Sequence, residues 1–117
     1  AGRYGNSGQT DYAASNELVN RLAWQLHWRW GDQVKVMAIN WGPWAASRHG
    51  PGMVTPEAER KFAAQGVSLV RVAAGAEFFL NELGHGPLDE VELIAGAGPW
   101  EQREAERGAW TLAAVVD

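Results

Sequence analysis

The run Gly8-Gln9-Thr10-Asp11-Tyr12-Ala13-Ala14-Ser15-Asn16 constrains this chain more than any other feature, because it passes from a Gly-rich loop straight into a helical pattern. Residues four apart share one face of a helix, so Tyr12 and Asn16 address the same small volume. A phenol delivered there is able to donate a proton, with an amide beside it to hold water or a partner side chain. On these residues alone, a helix start that happens to carry an aromatic and a polar residue is the better explanation.

The pattern continues along the chain. Thr10 or Asp11 is the expected N-cap. From about Tyr12 to Trp30, Leu18, Leu22 and Leu26 recur every four residues with Val19, Ala23 and Trp30 on the neighbouring flank. That spacing predicts an apolar stripe packed on a sheet or a second helix, ended by Gly31 as a C-terminal glycine. Val34–Ile39 is short and β-branched and reads as a strand, with Lys35 turned to the face opposite Val34 and Val36. Gly42-Pro43 and Gly50-Pro51-Gly52 mark an extended loop.

Thr55-Pro56-Glu57-Ala58-Glu59 opens a short helix that stops at Gly66: a capping threonine, proline at the first position, acids in the first turn. Ser68 is the expected cap of a helix over about 71–84, with Ala74, Phe78 and Leu83 on one side and Gly84 at its end. Val91–Ala95 is a second strand, and Trp110–Val116 is either a further strand or the opening of another domain. Helix, strand, helix, helix, strand is the order of an α/β sheet with parallel strands.

Composition narrows the classes. At 117 residues with 46% hydrophobic content the chain is of one-domain size and has the material for a core. A net charge of −4 argues against a nucleic-acid footprint, which is basic. No apolar run approaches the roughly 20 residues of a membrane span. Zero cysteines exclude disulfides and thiolate metal sites and are compatible with a reducing, cytoplasmic compartment. His27, His49 and His85 lack ligand spacing, so no metal site is expected.

Ala1-Gly2-Arg3-Tyr4-Gly5-Asn6-Ser7-Gly8 joined to the run through Asn16 strongly resembles the catalytic stretch of ketoreductase domains in polyketide and polyunsaturated fatty acid synthases. These are members of the short-chain dehydrogenase/reductase superfamily. Val34-Lys35-Val36-Met37-Ala38-Ile39-Asn40-Trp41-Gly42-Pro43-Trp44 followed by Gly52-Met53-Val54 is a second match, and Val91-Glu92-Leu93-Ile94-Ala95-Gly96 looks like the domain's last strand.

The resemblance implies the C-terminal half of a ketoreductase domain over residues 1–100, with 101–117 as a linker or the start of the next domain. The implied fold is the C-terminal part of a Rossmann-like parallel sheet with flanking helices and a lid helix. In this family the tyrosine matched by Tyr12 donates a proton to the ketone oxygen as NADPH delivers hydride to its carbon. Asn16 stands where classical members carry a lysine, the arrangement of synthase ketoreductases, whose lysine and serine lie upstream of the matched stretch.

The resemblance places Tyr4 and Gln9 at positions that govern stereochemistry. Many ketoreductases that make the L-configured alcohol carry Trp where this chain has Tyr4. Pro43 and Trp44 are implied to wall the nicotinamide, and Met53 to shape the acyl pocket.

The expected activity is therefore NADPH-dependent reduction of a β-ketoacyl chain held by phosphopantetheine on an acyl carrier protein. The expected partners are that carrier, the N-terminal half of the domain, and a second copy in a homo-oligomer. A non-catalytic structural or docking module is the rival from another class, and a degenerate reductase-like domain is a third reading.

The sequence holds no G-x-G-x-x-G turn between a strand and a helix, which is where a dinucleotide pyrophosphate gains its hold. The 117-residue chain by itself should therefore show no NADPH affinity in a calorimetric titration; micromolar binding would contradict the half-site expectation.

Overall fold

The computed structural model describes residues 2–3, 8–46, 54–102 and 104–105. Among these, the elements in chain order are α1 (Thr10–Trp30), β1 (Ala38–Trp41), α2 (Pro56–Ala64), α3 (Val72–His85) and β2 (Glu92–Ala95). The two strands pair in parallel, Ala38 opposite Glu92 through Trp41 opposite Ala95. Parallel strands need a long crossover, and α2 and α3 supply it. The architecture is α/β, as the order of sequence signals predicts. Residues 50–53 and 110–116, where a loop and a further strand are expected, lie outside the described residues.

Strand pleat sets which helix meets which face. Ala38 and Asn40 point to one side of β1, where Ala38 clusters with Ala23 of α1 and with Val91, which is 1% exposed. Trp41 points to the other side and meets Phe78 of α3 edge-on, ring centroids 5.9 Å apart. α1 thus lies on one face of the sheet, and on the other α3 meets β1 through the Trp41–Phe78 contact.

α1 buries a face rotated away from its first two leucines. Leu18 and Leu22 are 70% and 50% exposed, whereas Asn20 is 4% exposed and Ala23 is buried. The packed positions are Ala13, Asn16, Glu17, Asn20, Ala23, Trp24, Leu26 and His27, so Leu26 and Ala23 of the expected stripe lie on the packed side while Leu18 and Leu22 do not. α1 approaches the sheet through Ala23 and Ala38, with Trp24 packed beside them, and through an amide contact. Asn20 Nδ2 donates to Asn40 Oδ1 at 2.9 Å, and Asn40 Nδ2 donates to Leu93 O at 3.3 Å.

The first strand also starts later than expected. Residues 34–37 are unpaired and β1 begins at Ala38. Val34 N–H is taken by Trp30 O at 2.9 Å, which prolongs the last turn of α1. The Lys35 ammonium is drawn to the carbonyls of Pro87 and Glu90 ahead of β2. Pairing begins where Ala38 N–H reaches Val91 O at 2.7 Å.

The helix ends follow local chemistry with three corrections. Gln9, not Thr10 or Asp11, is the N-cap of α1, and it makes no side-chain cap bond; Asp11 instead lies in the first turn. Gly31 ends α1 in a right-handed conformation, so its need is steric: a Cβ there would lie 2.2 Å from His27 Nδ1. Ser68 forms a β-bridge with Ala97 rather than a cap, and α3 begins after Arg71 and ends at Gly86, two residues beyond Gly84. The face α3 buries is that of Gly75 and Phe78; Ala74 and Leu83 are exposed.

α2 is as the sequence predicts. Ala58 N–H donates to Thr55 Oγ1 at 3.2 Å, Pro56 opens the helix, and Gly66 leaves it at φ 71°, which only glycine adopts without strain.

Replacing Asn20 by Ala would leave the Asn40 amide without its donor at the helix–sheet contact. The expected loss is about 1–3 kcal/mol of stability, read as a lower urea midpoint with unchanged slope.

Candidate functional site

Tyr12 sits in the first turn of α1 and is 55% exposed, a phenol presented to the outside at the start of a docked helix. Asn16 follows one turn later and is half-buried. Its Nδ2 donates to the Tyr12 carbonyl oxygen at 2.8 Å, so the amide is folded back on its own helix rather than held beside the phenol. That is local side-chain-to-backbone bonding of the kind short polar residues make within helices. It fixes the Asn16 rotamer and leaves the phenol to act without it.

Pro43 and Trp44 follow β1 directly, at the carboxyl end of the parallel pair, where open α/β sheets bind their ligands. The segment is pinned by backbone bonds: Gly42 N to Ala95 O at 2.8 Å, Val70 N to Pro43 O at 2.7 Å, and Ala45 N to Val70 O at 2.8 Å. Trp44 stacks obliquely on Trp41, centroids 4.7 Å apart, and lies on Gly75 of α3. A Cβ at Gly75 would stand 2.3 Å from the Trp44 ring, so the aromatic seat requires glycine there.

This loop is a stiff apolar wall with its backbone already paired, which suits the flat face of a nicotinamide. A pyrophosphate finds no matching cradle in the sequence. The residues present fit the ring end of such a cofactor.

Gln9 is the exposed residue just before α1. Tyr4 and Met53 lie outside the described residues. The structure therefore brings Tyr12 and Asn16 onto one helix end and Pro43 and Trp44 onto one strand end. The joint between them is the Asn20–Asn40 bond, with Asn20 one turn beyond Asn16 on the same face of α1. The signal for Asn20 was its spacing from Asn16, masked by the stronger leucine repeat.

A second polar group has no counterpart in the sequence motifs. Glu92 of β2 accepts from Trp24 Nε1 at 3.1 Å and from Arg3 Nη1 at 3.0 Å. The same guanidinium donates through Nε to Glu104 at 2.8 Å and also through Nη2. Residues 100–102 and 104–105 are helical, which brings Glu104 to this cluster. Burial alone would raise the Glu92 carboxyl. The Trp24 hydrogen bond and the Arg3 guanidinium, with a weaker contribution from Arg21, outweigh it and hold the group below its ordinary value.

Among the described residues, no group of three or more His, Asp or Glu is placed to hold a metal ion, and no helix is long and apolar enough to cross a membrane.

Comparison with known proteins places these residues. Residues 1–46 match the family model of the KR domain. Over 97 residues the chain is 38% identical to a polyunsaturated fatty acid synthase subunit of Thraustochytrium sp.. This chain carries part of a ketoreductase (KR) domain. The alignment takes in 82% of the chain but only 3% of that relative, so the chain spans a small part of the synthase polypeptide it matches. No solved structure matches it. The KR match takes in Tyr4, Gln9, Tyr12, Asn16, Pro43 and Trp44 and stops short of Met53.

A carboxylate whose folded pKa is depressed contributes stability above its unfolded pKa and loses it as pH falls through the folded value. The Glu92 contribution to this KR segment should thus be complete at neutral pH and disappear below the ordinary value of 4.5. Urea unfolding at a series of pH values should show a shallower acid loss in Glu92→Gln than in the parent chain.

Proposed function

We propose that this chain is the C-terminal half of an NADPH-dependent β-ketoacyl reductase domain of a polyunsaturated fatty acid or polyketide synthase. Residues 1–100 form that half, and 101–117 lead out of it. The observation that carries the reading is Tyr12: an exposed phenol on the first turn of a docked helix, inside the stretch that matches the KR family.

NADPH, when bound, supplies the hydride that adds to the ketone carbon. Tyr12 gives its hydroxyl proton to the ketone oxygen, so the carbonyl becomes a hydroxyl and the phenolate is reprotonated from solvent. Pro43 and Trp44 back the nicotinamide and keep water from that face. Tyr4, Gln9 and Met53 border the acyl chain, and α2 serves as the lid helix. Asn16, tied to the Tyr12 carbonyl, stiffens the first turn.

The substrate is a β-ketoacyl chain on the phosphopantetheine arm of an acyl carrier protein, in the cytoplasm. The exposed apolar surface supports a larger assembly. Leu18, Val19 and Leu22 of α1 and Phe79, Leu80 and Leu83 of α3 are all more than two-fifths exposed. Parallel sheets are almost always covered on both faces and extended by further strands. The remaining half of the domain, or a second copy, is the cover these faces await.

The test is Tyr12→Phe in the parent synthase. Reduction of a β-ketoacyl substrate should fall about 10²–10⁴-fold in kcat with NADPH binding unchanged. Asn16→Ala should cost less. A loss under about tenfold for Tyr12→Phe would remove the phenol from the chemistry and favour the docking module.

A further inference from the structure

Gly2 and Arg3 occupy a position the proposed reaction does not explain. A Cβ on Gly2 would lie 2.8 Å from the Asn16 carbonyl carbon and 2.9 Å from Glu17 N, so the Gly2 backbone rests directly on α1 one turn after Tyr12. The next residue, Arg3, reaches across to Glu92 of β2, and Glu92 holds Trp24 of α1 with its other oxygen.

Gly2 is thus held against α1 beside Asn16, and Arg3 ties the same stretch to the sheet. The ion pair is not a surface ornament: the side chains of Glu92 and Arg3 are 12% and 29% exposed. A guanidinium and a carboxylate so placed, with an indole N–H on the second oxygen, form charge-assisted bonds that hold geometry as well as energy.

We propose that Arg3 and Glu92 are a positioning pair. They seat the Gly2 backbone on the Asn16 turn and thereby set how the Tyr12 end of α1 stands relative to the sheet. Glu104 braces Arg3 from the far side. Glu92 is the common anchor, because it bonds both Arg3 and Trp24 of α1. Neither residue touches substrate. They act through the Gly2 contact on the Asn16 turn and the Glu92 bond to Trp24. The consequence for reduction rests on the function proposed above; the mechanical claim does not.

The two claims are separated by two measurements on Glu92→Gln, Arg3→Gln and the conservative Glu92→Asp. The first is amide hydrogen exchange on the full chain. Glu92→Gln should speed exchange about tenfold in the N-terminal half of α1 and leave α3 unchanged, with Glu92→Asp recovering part of the protection. Arg3→Gln should give the same pattern, and the double variant little more than either single one. A uniform rise across α1 and α3 would mean that the pair serves only global stability, and additive effects would mean that the two residues do not act together. Either result overturns the proposal.

The second measurement is kinetic, in the parent synthase. Glu92→Gln should lower kcat for ketone reduction about tenfold while KM for NADPH stays the same, the signature of a misplaced proton donor rather than a lost cofactor contact. Wild-type activity with no change in kcat for the variant overturns the positioning role. A wild-type synthase that reduces no ketone refutes the proposed function instead, and the exchange pattern then decides the clamp by itself.

Discussion

One contact between two side-chain amides governs the arrangement. Asn20 is the most buried polar residue among those described, and its carboxamide meets that of Asn40 at the middle of the α1–β1 contact. Asn20 Nδ2 also donates to Glu17 Oε2 at 3.2 Å on its own helix, and its bond to Asn40 is the one that ties the buried amide, and with it the rotation of α1, to the sheet. Apolar packing alone would be less exacting. Ala23, Ala38 and Val91 form a small cluster, with Trp24 and Val36 packed against it. Hydrophobic burial brings helix and sheet together here, and the amide pair selects how.

That division explains what could be read in the chain before its structure. Element order, parallel pairing, the Thr55 cap and the Gly66 stop depend on local chemistry, and all were legible. The rotation of α1 was not. Its leucines and its small polar residues repeat with the same helical period, so periodicity identifies two faces without saying which is inward. The usual assumption turns leucines to the core. In this chain Ala13, Asn16, Asn20 and Ala23 hold that side, and Leu18 and Leu22 are left outside. The start of β1 was illegible for a different reason. Val34 and Val36 have strand character, but Lys35 is claimed by carbonyls on the approach to β2, a contact more than fifty residues away in sequence.

The candidate site divides in the same way. Tyr12, Asn16, Pro43 and Trp44 were legible as a motif, because their spacing matches the family. Their supports were not. Nothing in the sequence around Gly75 marks its role, and only the Trp44 ring lying on it shows why a side chain would not fit. Asn16 was expected beside the phenol and instead bonds the Tyr12 carbonyl, because a carboxamide four residues on finds that oxygen closer than any hydroxyl. Arg3 and Glu92 stand 89 positions apart, and no local pattern joins them.

The supports also decide how the two halves of the site are related. Tyr12 belongs to α1, which lies on one face of the sheet. Trp44 is seated on α3, which lies on the other. Between these helices stands β1, gripping α1 through Asn40 and α3 through Trp41. These two residues are neighbours on the strand and point to opposite faces because of the pleat. The placement of Tyr12 relative to Trp44 is therefore set across one strand, through two adjacent side chains. A change at Asn40 would shift α1 against the sheet without touching Tyr12 or Trp44, whereas Trp41 packs directly on Trp44. Rigid strand backbone suits this task better than a loop, since misplacement by about 1 Å is enough to cost a hundredfold in rate.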